Sequence, residues 1–81
     1  MALMKDIDFR GILVSDAYIR VSSVNIDRDH MHFRVTHHVD ANSDEFDSIV
    51  MECEYVDGIS PFRQAYDLLK TLPIYERSVN V

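Results

Sequence analysis

Residues 30–39 alternate in polarity with a period of two, with Met31, Phe33, Val35, His37 and Val39 on one side and His30, His32, Arg34, Thr36 and His38 on the other. Side chains alternate between faces only in an extended strand, and one apolar side makes this a strand with one buried face. Ile49, Met51, Cys53 and Tyr55 alternate in the same way with Val50, Glu52, Glu54 and Val56, which predicts a second strand. The intervening Asp40-Ala41-Asn42-Ser43-Asp44-Glu45 is polar and rich in turn formers, so the two strands are expected to form an antiparallel hairpin.

Upstream, residues 17–26 form a third expected strand whose alternation slips by one: Ile19 and Val21 are odd positions, Val24 and Ile26 even. Such a change of phase needs one extra residue. A β-bulge at Ser22-Ser23 returns both apolar pairs to one face. A turn at Asp27-Arg28-Asp29-His30 then pairs Ile26 with Met31 and Val24 with Phe33, and beyond the bulge Val21 with Val35 and Ile19 with His37. In the hairpin that follows, Phe33 is expected opposite Cys53, which sets Glu54 across from His32 and Glu52 across from Arg34. Ile12-Leu13-Val14 is a candidate fourth strand.

After an Asp57-Gly58 turn, Ser60 reads as a helix N-cap and Pro61 as the first helical residue. Phe62, Ala65, Tyr66, Leu69 and Leu72 recur at spacings of three and four, giving one apolar stripe, and Pro73 ends the helix predicted over 60–72. Laying that stripe on the sheet buries both apolar faces. The expected fold is therefore α+β: an antiparallel β-meander of three strands over 17–56, four if 12–14 joins it, with one C-terminal α-helix packed on one face. Residues 1–10 are expected as an N-terminal arm and 75–81 as a C-terminal tail. The 81 residues suit a single domain. At this size about 60% of the unfolded chain's surface is buried, so a partner surface would add stability.

Fourteen acidic against eight basic residues give a formal charge of -6, which repels a phosphate backbone and argues against nucleic-acid binding. No apolar run approaches the ~20 residues of a membrane span, and the opening residues lack the apolar core of a signal peptide. A single cysteine, Cys53, excludes an internal disulfide and suits a reducing compartment. Its place on an apolar face suggests an inert thiol. With two glycines in the chain there is no phosphate-binding loop. His30 and His32 share a strand face as metal ligands can, with Glu54 the nearby third, but this falls short of the ligand count of a zinc site, so no metal is expected. His37 points to the core margin, and His38 to the outer face. Asp44, Glu45 and Asp47 lack the spacing of a calcium loop and are expected to be solvated. No catalytic residue and no cofactor are expected.

The aromatic residues are the remaining distinctive feature. Phe9, Phe46 and Tyr75 fall on expected arms or loop edges, where exposed rings suit protein interfaces and equally suit packing at the margin of a small core. The segment "SPFRQAYDLLKTLP" at 60–73, with "DAYIRV" at 16–21, resembles a group of small uncharacterised proteins of tailed phages and prophages, encoded near tail-fibre or baseplate genes. The matching residues, in the family's order, are Tyr18 and Arg20, then Cys53, Tyr55, Asp57 and Gly58, then Pro61, Gln64, Ala65, Tyr66, Leu69, Lys70, Leu72 and Pro73. The family often has Cys-Pro-Tyr where this chain has Cys53-Glu54-Tyr55.

The resemblance implies a non-enzymatic virion component, a small tail, baseplate or fibre-attachment subunit located in the phage tail after assembly in the host cytoplasm. Its expected partners are other tail proteins or further copies of itself, and Phe9, Tyr18, Arg20, Phe46 and Tyr75 are the expected interface residues. The alternative is an acidic phage-encoded inhibitor of a host defence complex.

Overall fold

The computed structural model describes residues 2–81. These residues form an antiparallel sheet with one α-helix, the expected α+β type, but the sheet has five strands where three or four were expected. The strands are β1 (Leu3–Phe9), β2 (Ile12–Asp27), β3 (His30–His38), β4 (Glu45–Glu54) and β5 (Val79–Asn80), in spatial order β4-β3-β2-β1-β5. Between β4 and β5 the chain crosses the sheet through helix α1 (Pro61–Leu69) and a short 3-10 turn over Pro73–Tyr75.

The slipped strand folds as its phase requires. Val21 pairs with Val35 and Ile19 with His37 before the irregularity, and Val24 pairs with Phe33 and Ile26 with Met31 after it. The bulge takes the Val21 N–H out of the regular ladder, and the Tyr66 hydroxyl of α1 accepts it at 2.9 Å, so the helix docks on the irregularity that the sequence announces. Ala65, Tyr66 and Leu69 are buried on this face against Leu3, Ile19, Val21, Phe33 and Val35.

Much of the expected N-terminal arm and part of the expected C-terminal tail are sheet instead, as β1 and β5; Met1 lies outside the described residues. Leu3 and Ile7 are core residues, and Lys5, which interrupts their apolar period, sends its ammonium out to the Pro73 carbonyl at 3.4 Å. A two-residue turn at Arg10-Gly11 (φ 53° and 82°) joins β1 to β2, both residues left-handed as a type I′ hairpin turn demands. Ile12-Leu13-Val14 is thus the start of β2 and not a separate strand, continued through a bulge at Asp16, whose N–H bonds to the Asp6 carboxylate. At the other end β5 pairs with β1, and Ala2 and Val81 exchange both backbone hydrogen bonds.

Three local expectations also change. The helix stops at Leu69, earlier than residue 72, and Phe62 lies 46% exposed outside its buried stripe. Ser60 precedes Pro61 but makes no side-chain capping bond. Gln64 anchors this end instead, accepting from the Val56 N–H and donating to the Val56 and Ile59 carbonyls, each at 2.9 Å.

Candidate functional site

Helix α1 covers one face of the sheet and leaves the opposite face and the sheet edges open. On that outer face the β3–β4 register is displaced by two residues from the expected one: Met31 faces Cys53 and Phe33 faces Met51, so His32 faces Glu52 and Arg34 faces Val50. The expected His32–Glu54 and Arg34–Glu52 pairs are therefore replaced. Arg34 reaches Glu45 at 2.7 Å and Ser48 at 3.4 Å. One Glu52 oxygen lies 3.2 Å from His30 Nε2 and 3.0 Å from His32 Nε2, with the two rings edge to face at 4.8 Å. The hydrogen bond from His30 is the leading reason that the Glu52 carboxyl titrates below its usual range.

The other two histidines serve the interior. His37 is 1% exposed, as its parity suggests, with Nε2 2.7 Å from the Tyr75 hydroxyl and Nδ1 3.9 Å from Asp47. Burial lowers the His37 pKa, partly opposed by Asp47, and burial raises that of Tyr75 to about 12. Both groups are thus neutral near pH 7. The Asp47, His37 and Tyr75 groups follow the order of a relay triad, but Tyr75 is fully buried and its hydroxyl cannot meet a substrate.

His38, expected on the open face, is 6% exposed because the β3–β4 loop folds over it. Its Nδ1–H donates to the Ser43 carbonyl at 2.8 Å, and its Nε2 meets the Thr36 hydroxyl at 2.7 Å. The loop is held by Asp40, whose carboxylate accepts from Asn42 N–H and the Ser43 hydroxyl; the Ser43 bond is the main cause of its lowered pKa. Asp44, Glu45 and Asp47 do not converge on a cation position, since Glu45 turns to Arg34 and Asp47 toward His37.

The five expected interface residues divide between two places. Phe9 and Phe46 stack edge to face at 5.2 Å, half-buried, and Phe46 also touches the His37 ring, so with the wholly buried Tyr75 they extend the core. Tyr75 is thereby excluded as an exposed contact residue. Tyr18 and Arg20 do lie on the outer face, where Tyr18 packs edge to face on His38 at 6.2 Å. Tyr18 also lines an open cleft of about 460 Å³ with Met4, Ser15, Val39, Ala41, Val81 and the acidic Asp16 and Asp40. The cleft exists because β1 and the C-terminal residues join the sheet. No local pattern in the sequence marks it.

The two edges differ. β5 is two residues long, whereas β4 leaves ten residues without a strand on its outer side among the described residues. Beside that edge Val50 is 70% exposed on the outer face. Among the described residues no helix is long and apolar enough to cross a membrane. No known family, curated protein or solved structure matches the chain.

Proposed function

We propose that this chain is a non-enzymatic component of a tailed-phage virion, a small tail, baseplate or fibre-attachment subunit that works through protein–protein contacts. The observation that carries this reading is the long open edge of β4. An unpaired edge offers backbone donors and acceptors to an incoming strand, and exposed side chains beside it select the partner. The tail-protein resemblance on residues 60–73 supplies the biological setting. The cleft beside Tyr18 gives a second apolar contact on the same side of the sheet. The negative charge disfavours nucleic acid as the partner.

Mass spectrometry of purified virions tests the reading. The chain is expected among the tail subunits, with chemical cross-links from the β4 edge to a fibre or baseplate protein. Virions that contain the other tail subunits and lack this one would overturn it. The acidic balance supports a second reading, an inhibitor of a host defence complex. A host-cell pull-down that recovers such a complex and no phage structural protein would favour that reading.

A further inference from the structure

We infer that His30, His32 and Glu52 form a binding site for a divalent transition-metal ion, with zinc the best fit. Among the described residues, no other group of three histidine, cysteine or carboxylate side chains brings its ligand atoms together in this way; all three lie within 4.8 Å of one another. The inference is independent of the docking role proposed above.

The backbone builds the site. His30 and His32 are two apart on β3 and therefore project from the same face, and the β3–β4 pairing sets Glu52 directly across from His32. One carboxylate oxygen then stands 3.2 Å and 3.0 Å from the two imidazole Nε2 atoms. Around a tetrahedral ion with bonds of about 2.0–2.1 Å, neighbouring ligand atoms sit roughly 3.3 Å apart. Two of the three edges of the ligand triangle therefore already match, and the third, between the two imidazoles, lies within 4.8 Å and shortens as the exposed rings turn toward the ion.

The chemistry agrees with the geometry. Imidazole and carboxylate together suit zinc better than calcium or magnesium, which take oxygen ligands. Two histidines and one glutamate leave a fourth position open, and the partial exposure of all three side chains (44%, 48% and 62%) gives water access to it. Glu54 and Asp27 sit opposite His30 on the two neighbouring strands, adding negative charge around the ion. In the absence of metal, Glu52 is held by the histidines through hydrogen bonds, so protons and metal compete for the same atoms.

Titration calorimetry with zinc chloride on the full, tag-free chain after chelator treatment tests the site. One ion per chain is expected, together with zinc-dependent shifts of the His30 and His32 side-chain nitrogens in NMR spectra. H32N and E52Q should each weaken binding by at least about tenfold, the scale on which even outer-shell changes act. E54Q, which removes only a neighbouring charge, should have a smaller effect. Far-UV circular dichroism should be unchanged in all three variants, because these side chains lie outside the core. Absence of binding, binding well below one ion per chain, or an affinity indifferent to E52Q would overturn the inference.

Discussion

Replacing Tyr75 distinguishes a C-terminal tail from a structural part of the core. The side chain is fully buried in the main hydrophobic cluster, and its hydroxyl is the hydrogen-bond partner of His37 Nε2. Tyr75→Phe keeps the ring and leaves that buried nitrogen unpaired. With Nδ1 already lacking a hydrogen bond, the loss should cost about 1–3 kcal/mol. Tyr75→Ala removes the ring as well and opens a cavity, for about 3–5 kcal/mol. A domain of this length has a total stability of about 4–12 kcal/mol, so the alanine variant approaches or crosses the unfolding threshold at room temperature. Urea unfolding followed by far-UV circular dichroism at pH 7.5 measures both costs. The double variant His37→Leu/Tyr75→Phe should cost less than the sum of the single changes, since it removes both partners of one buried bond. A loss within about 0.5 kcal/mol for Tyr75→Ala is what an exposed tail would give, and it would refute the placement of residues 73–81.

Tyr66→Phe should cost about 1–3 kcal/mol by leaving the buried Val21 N–H without its acceptor; slowed unfolding of the variant in urea would contradict this. Gln64→Ala removes three hydrogen bonds that water can partly replace, so a loss of about 1–2 kcal/mol and faster amide exchange at Val56 are expected in exchange experiments. His37 has a lowered folded pKa, so the unfolded chain binds its proton first. Its contribution is fully present above about pH 6.5 and is lost as pH falls from there toward the folded pKa. Urea unfolding at a series of pH values should therefore show a decline over this window that His37→Gln abolishes, and an equal decline in the variant would refute the assignment.

Strands β2 and β3 were legible because their apolar period carries its own phase. The slip between Val21 and Val24 located a bulge to within one residue, and all four predicted pairs across it are present. The register between β3 and β4 was not legible, for a matching reason. A displacement by two residues preserves which face each side chain occupies, so alternation cannot detect it, and it moved Glu52 from Arg34 to His32. The metal-ligand triad was hidden by that displacement. β1 was missed because Lys5 occupies a core-side position and conceals the period of Leu3 and Ile7. Tyr75 looked like a tail residue because the pairing of β5 with β1 joins chain ends that no local pattern connects.

Residues 64–69 are scaffold residues. Gln64 pins the segment between β4 and α1, Ala65 is buried where the helix meets the sheet, Tyr66 satisfies the backbone at the bulge, and Leu69 fills the core. Cys53 and Tyr55 pack against the same cluster from the end of β4, where burial raises the Cys53 thiol pKa. Each of these residues is fixed by a packing or hydrogen-bonding requirement of this bulged sheet. In the docking role proposed above, specificity would come from residues outside those requirements, on the outer face from Tyr18 to Glu52 and along β4.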